Sequence, residues 1–147
     1  MSEFMDRALL QAKAAAERGE VPVGAVLVDA AGKVLAAAGN RVVELADPSA
    51  HAEMLVIREG CAHLGSERLN GCDLYVTLEP CPMCAGAISL ARIRRLYYGA
   101  EDVKAGGVDH GPRVFSHPTC HHAPEVYGGL QATASADLLK SFFKARR

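Results

Sequence analysis

Hydrophobic positions along this chain switch between a helical period and a strand period, and the switches predict the order of its elements. From Ser2 to Arg18 the apolar residues Phe4, Ala8, Ala12 and Ala15 recur at helical spacing. Acids fill the first turn and Gly19 follows as a stop, so a first helix is expected there. The segments PVGAVLV and KVLAAAG then read as two strands, and the turn DAAGK between them predicts an antiparallel hairpin. GNRVVELADPS reads as a loop. Ser49 at its end would cap the next helix, whose buried stripe would be Met54, Ile57, Cys61 and Leu64 and whose stop would be Gly65. CDLYVTL alternates like a strand, CPMCAGAISLA opens a helix with Pro82 at its first position, and RRLYYG reads as a further strand. The stretch from Glu101 to Leu130 is rich in Gly, Pro and His and shows no strong period. A last helix from about Ala134 to Arg147 would bury Leu138, Leu139, Phe142 and Phe143.

Strand, helix and strand in such close succession form a βαβ unit with a parallel strand pair. The expected architecture is therefore α/β: one domain over residues 1–147, with a mixed central sheet and helices on both faces, in three layers. Composition agrees with this. The 147 residues are 50% hydrophobic, enough for a sizeable core, and no apolar run approaches the roughly 20 residues of a membrane span. The charged N-terminal stretch has no signal-peptide core, so a cytoplasmic protein with no membrane partner is expected. The net charge of −1 gives no bulk support for a nucleic-acid partner. Two local runs are basic: Arg92, Arg94 and Arg95, and the tail with Lys140, Lys144, Arg146 and Arg147. Such runs are solvated faces or phosphate-holding patches.

The candidate chemistry lies in two short motifs. Cys61, Cys72, Cys81, Cys84 and Cys120 are odd in number, which argues against a disulfide framework. Cys81 and Cys84 stand apart, because Cys-x-x-Cys at a helix start favours thiolate. By itself that spacing fits a redox pair, half of a structural zinc site or part of a catalytic one. His51 and Glu53, in DPSAHAEMLV, are polar groups at the start of an apolar helix. A histidine there could simply be a satisfied core residue. Two helix starts, one with His51 and one with Cys81 and Cys84, can together supply three zinc ligands and leave the fourth position open, which is the layout of a catalytic zinc site. Glu53 would then lie beside the metal without binding it. Residues two apart do not share a helix face, so His51 and Glu53 can approach one point only near the helix end.

His-x-Glu followed by Pro-Cys-x-x-Cys is the signature of zinc deaminases. The chain has HAE at 51–53 and PCPMC at 80–84. With VPVGAVLV, GNRV, DPSAHAEM, LYVTLEPCPMCAGAI, ARIRRLYYGAEDVK and SFFKARR, it resembles the bacterial tRNA-specific adenosine deaminases over nearly its whole length. The resemblance implies a cytidine-deaminase-like fold, one zinc ion per chain, a homodimer, and a tRNA anticodon loop as substrate, with the wobble adenosine of an arginine tRNA converted to inosine. It also implies that Asn40 holds the target nucleoside, that the backbone near Ala52 positions the base, and that Asp102 contacts the neighbouring RNA. Asn40 as a loop cap and Asp102 as a turn cap are the competing structural readings. The chain departs from the family pattern at KAGGVDHG and at HPTCHHAPEV, and Cys120, His121 and His122 could form a metal cluster of their own.

In the expected mechanism, zinc makes hydroxide available near neutral pH, and Glu53 shuttles a proton from water to the ring and then to the departing amine. Three rival readings remain at this point. A small-molecule deaminase acting on guanine, cytosine or a free nucleoside would share the whole zinc site. A closed zinc module would recruit Cys120 or a neighbouring His as fourth ligand. A redox dithiol would leave His51 and Glu53 without a role.

Overall fold

A computed structural model describes residues 2–146. The elements run α1 (Glu3–Glu17), β1 (Gly24–Val28), β2 (Val34–Gly39), α2 (Ala52–Leu64), β3 (Asp73–Leu78), α3 (Pro82–Leu90), β4 (Arg95–Ala100), β5 (Glu125–Tyr127) and α4 (Ala132–Ala145), with one 3-10 turn at Val114–Ser116. The strands form a single sheet in the order β2-β1-β3-β4-β5. β1 is antiparallel to β2 and β3, whereas β3, β4 and β5 run parallel. Helices α1 and α4 pack on one face, and α2 and α3 on the other. This is the three-layer α/β/α arrangement with a mixed sheet that the periodicity predicts. No helix among the described residues is long and apolar enough to cross a membrane.

The hairpin, the parallel β3–β4 pair and the helix between them lie where the sequence places them. Helix α1 also agrees, with Ser2 Oγ accepting from Met5 N–H as the cap and Met5, Ala8, Leu9, Ala12 and Ala15 buried.

Helix α2 departs from expectation in two instructive ways. Its cap is His51 rather than Ser49: Ser49 Oγ donates to Asp47 Oδ1 (2.7 Å) and accepts from Arg58 in the preceding loop. Its buried stripe is Glu53, Val56, Ile57 and Gly60, while Met54 is only half-buried and Leu64 is 46% exposed. The spacing i, i+3, i+4, i+7 is that of a core-facing helix. The stripe is turned from the expected one because a carboxylate, Glu53, belongs to it. Counting only apolar residues as core misplaces the face.

Two further corrections concern the C-terminal third. β5 pairs in register with β4 inside the segment that shows no period, because three residues are too few to display one. On α4, Phe142 is buried and Leu138 and Leu139 are half-buried, but Phe143 is 47% exposed. Arg147, the last residue of the expected helix, lies outside the described residues.

The turned stripe has a direct stability test. Val56 is fully buried in the main core. Val56→Ala should lower unfolding free energy by about 2–3 kcal/mol in a denaturant titration. Leu64→Ala should change it by no more than about 0.5 kcal/mol, as surface substitutions do. The reverse ranking would restore the stripe read from the apolar residues alone.

Candidate metal centre and substrate pocket

Two helix starts meet at the C-terminal end of β3. Cys81 is the cap residue of α3, in extended backbone (φ −71°, ψ 170°), and Pro82 fills the first helical position, where a missing N–H costs nothing. Cys84 lies one turn further on. His51 occupies the equivalent place on α2 (φ −71°, ψ 150°). Neither cap residue makes a side-chain cap hydrogen bond, so both side chains are free to turn toward each other. His51 Nδ1 lies 3.7 Å from Cys81 Sγ and 3.6 Å from Cys84 Sγ. The ligand atoms of the three residues all fall within 4.8 Å of one another. Because His51 sits in extended backbone just before the helix and Glu53 in its first turn, the two converge despite being two residues apart.

Several features show that this donor set suits a cation. Glu53 is 3% exposed, and its Oε1 has no hydrogen-bond partner. Burial pushes its carboxyl up to about 7, only partly offset by its own backbone N–H and by His51. The neighbouring Cys84 thiol holds Cys81 down to about 4 against the effect of burial, with His51 adding to the lowering. Cys84 is driven up, first by its hydrogen bond to Cys81 and then by burial, while the Cys81 contact raises His51. The His51 ring and the two cysteine sulfurs crowd one point, an arrangement that a cation between them would relieve. A His and two Cys form a tetrahedral zinc set with one position left over, and Glu53 stands beside it. Among the described residues, this is the one such His, Cys and acidic cluster.

A cavity of about 350 Å³ opens over these groups, lined by Glu20, Asn40, Val42, Val43, His51, Glu53, Glu79 and Asp102 among others. That volume lies at the small end of the usual range for ligand sites. Asn40 is buried, and its Oδ1 accepts from Ala52 N–H (2.8 Å), so the two residues named from the resemblance are joined by a hydrogen bond. Asn40 therefore caps the start of α2 and also lines the pocket, leaving its Nδ2 as the donor available to a substrate. Asp102 is a turn cap, its Oδ1 accepting from Ala105 N–H (2.9 Å), and the residue also lines the cavity.

Sequence reasoning missed two buried acids in this pocket. Glu20 is 2% exposed and accepts from Val43 N–H (3.1 Å) and Glu44 N–H (2.8 Å). Glu79 is also 2% exposed and sits below the usual carboxylate range: burial raises it, but the His110 contact and three backbone N–H groups outweigh that. For Glu79 the signal in the sequence was an acid at the end of a strand, just before Pro-Cys; Glu20, between α1 and β1, had none.

Other candidate groups have structural occupations. Cys120 Sγ approaches Ser89 Oγ (3.4 Å) and donates to His122 O (3.2 Å), and His122 Nε2 lies 2.6 Å from Ile93 O. These contacts tie the 117–124 segment to the end of α3, and no metal-ligand set forms there among the described residues. An adjoining hollow of about 370 Å³, beside Ser89, Arg92, Cys120 and His121, lies away from His51 and Glu53. In the basic run, Arg94 donates twice to Asp73 (3.0 Å each) and Arg95 lies 3.6 Å from Glu125, so two of its three charges are already engaged.

Comparison with known proteins agrees with this geometry. Residues 1–100 match the family model for the cytidine and deoxycytidylate deaminase zinc-binding region. The tRNA-specific adenosine deaminase of Agrobacterium fabrum is 61% identical over 99% of this chain and 95% of its own length. A solved structure from a study of A-to-I editing by tRNA:A34 deaminases at the wobble position superposes with a TM-score of 0.92 at 62% identity, covering 95% of this chain and all of that one. The guanine deaminase of Bacillus subtilis is more distant, with a TM-score of 0.68 at 33% identity over 99% of this chain and 94% of that one. A His-Cys-Cys cluster at two helix starts, an unpartnered glutamate beside it and a match spanning the region that holds both place this chain in the cytidine and deoxycytidylate deaminase zinc-binding family.

Proposed function

We propose that this protein is a zinc-dependent tRNA adenosine deaminase. It would hydrolyse the wobble adenosine of an anticodon, in an arginine tRNA, to inosine with release of ammonia. The observation that carries this reading is the unpartnered, buried Glu53 carboxyl beside the His51, Cys81 and Cys84 cluster, at the base of a cavity sized for a nucleobase. The likeness to enzymes named for tRNA favours an RNA substrate over a free base.

His51, Cys81 and Cys84 would hold one zinc ion per chain. Bound there, zinc supplies Lewis acidity, which makes hydroxide available from water near neutral pH. Asn40 Nδ2 donates to the nucleoside and, through Oδ1, keeps the start of α2 in place. Glu53 takes one proton from water as the water oxygen bonds to C6 and delivers it to purine N1; it then takes the second proton from that oxygen and gives it to the amine as the C6–N bond breaks, so ammonia leaves and the carboxylate is regenerated. Burial raises the proton affinity of this carboxyl, which suits it to take up and return protons. Val42 and Val43 give the pocket an apolar side beside the base. An anticodon loop offers an unpaired base, so little unpairing energy opposes its entry.

The metal set and the proton shuttle separate cleanly by mutation. Cys81→Ser and Cys84→Ser should lose zinc and inosine formation together, whereas Cys120→Ser should keep both. Glu53→Gln should keep its zinc, while inosine formation on tRNA falls by at least about 100-fold. Zinc loss on changing Cys120, or near-normal turnover in the Glu53→Gln variant, would contradict these assignments. Wild-type protein should form inosine in bulk tRNA, and separate incubation with guanine, cytosine and free nucleosides should leave these unchanged. The opposite result would point to the small-molecule reading.

Phosphate contact is assigned to α4. Lys140, Phe143 and Lys144 line an exposed groove there, while Arg146 stacks its guanidinium 3.6 Å from the centre of the Phe142 ring. Lys140→Gln with Lys144→Gln should flatten the salt dependence of tRNA binding by about one log-log slope unit per lost contact. Unchanged slopes would remove this face from the RNA site.

A homodimer is also part of this reading. Ala85 packs into the chain's own core, so the small residues of α3 do not all face outward. Met83, Gly86 and Leu90 share the outer face, and Leu90 is 76% exposed with open space above Gly86. Sedimentation at micromolar concentration should give a dimer in the wild type and a larger monomer fraction in Leu90→Asp. A wild type that sediments only as monomer would refute this assembly.

A further inference from the structure

One buried carboxylate organises an entire wall of the substrate pocket. Glu79 directly follows β3, and its side chain is fully buried. Its Oε1 accepts from Asp102 N–H (3.1 Å) and from His110 Nδ1 (2.7 Å). Its Oε2 accepts from the N–H groups of Val108 (3.1 Å), Asp109 (3.0 Å) and His110 (3.1 Å). Five donors from one loop therefore converge on one side chain. A carboxylate is an acceptor at both oxygens, so it alone among side chains of this size can satisfy such a set.

The loop fits around that carboxylate only because of its glycines. A Cβ on Gly106 would collide with Glu79 Oε2, and one on Gly107 would lie 2.6 Å from Pro82 N and 2.8 Å from the carbonyl carbon of Cys81. Gly107 N–H donates to Pro80 O (2.8 Å), and Tyr98 Oη donates to Asp109. The segment is thus fastened to the backbone that carries Cys81. Asp102 and Ala105, which line the pocket mouth, belong to this loop. Neither Glu79 nor His110 is needed for the proton transfers assigned to Glu53.

We propose that Glu79, with His110 as its partner, is a positioning residue for RNA: it fixes the 102–110 loop so that Asp102 is held ready at the pocket mouth for the nucleotide beside the target base. This rests on the RNA reading given above. The physical reason is preorganisation. A loop rich in Gly would otherwise sample many conformations, and ordering it on binding would weaken affinity. Charge-assisted hydrogen bonds at low exposure hold it in one conformation before RNA arrives.

The test uses the zinc-loaded protein and an anticodon stem-loop RNA with adenosine at the wobble position. Glu79→Gln keeps the shape but replaces one acceptor by a donor that faces N–H groups. Its KM for the stem-loop should rise by about 10- to 100-fold, the value of one or more charged hydrogen bonds, with a much smaller fall in kcat. In hydrogen exchange, the amides of Val108, Asp109 and His110 should lose protection, while those of α2 and α3 keep theirs. Asp102→Ala should weaken kcat/KM in the wild-type background and add little in the Glu79→Gln background, because both changes disable the same contact. His110→Ala leaves the carboxylate in place, and its side chain is partly exposed; it should raise KM by about threefold or more, and it decides the matter if Glu79→Gln does not fold. Unchanged KM in the variants, or full additivity of the Glu79 and Asp102 changes, would overturn the positioning role while leaving the deaminase reading intact. A wild type that makes no inosine on the stem-loop would overturn the RNA reading and this inference with it.

Discussion

The structure depends on bringing one imidazole and two thiols to a single point. Three polar side chains with their ligand atoms within 4.8 Å of each other are unfavourable company unless a cation neutralises them. Everything around them serves that convergence. Each cap residue is in extended backbone, so its side chain turns away from its own helix and toward the other. The parallel β3–β4 pair and the α3 crossover set the place of Cys81 and Cys84, while the long loop after β2 brings α2 in so that His51 meets them.

Buried carboxylates provide the second level of order. Glu53, Glu20 and Glu79 are each 3% exposed or less, which is unusual for ionisable groups without a reason. Their environments divide the work. Glu20 accepts from two backbone N–H groups and Glu79 from four, and each ties down a loop that lines the pocket. Glu53 has an oxygen with no partner, and burial keeps its proton affinity close to neutral. The acids that accept backbone N–H groups hold loops, whereas Glu53 keeps an oxygen free. The same residue type does both, and only the number of donors around it differs.

Charge follows a similar division. The arginines of the 92–95 run looked like one basic patch, but Arg94 and Arg95 are bound to Asp73 and Glu125 on the sheet. The exposed Lys140 and Lys144 of α4 have no such partner among the described residues, and they line one groove. The stacked Tyr75, Tyr97 and Tyr127 rings run across β3, β4 and β5 and stiffen the sheet beneath it.

The sequence alone settled what depends on near neighbours. Periodicity located the hairpin, the parallel pair and the helices, because strand and helix patterns repeat within a few residues. HAE and PCPMC named the residues that gather at one point, His51, Glu53, Cys81 and Cys84, because both motifs sit within one turn of a helix start. Tertiary structure decided the rest. Only folding showed that Glu53 leads the buried stripe of α2, since a carboxylate counts as core only where another element covers it. Only folding joined Glu20 to Val43 and Glu79 to His110, contacts separated by 23 and 31 residues, and gave the unpatterned 102–110 segment a fixed shape. It likewise cancelled most of the Arg92–Arg95 patch through acids elsewhere on the sheet. Hydrogen bonds and ion pairs between distant residues leave no period in a sequence, because their partners are chosen by the fold rather than by spacing along the chain.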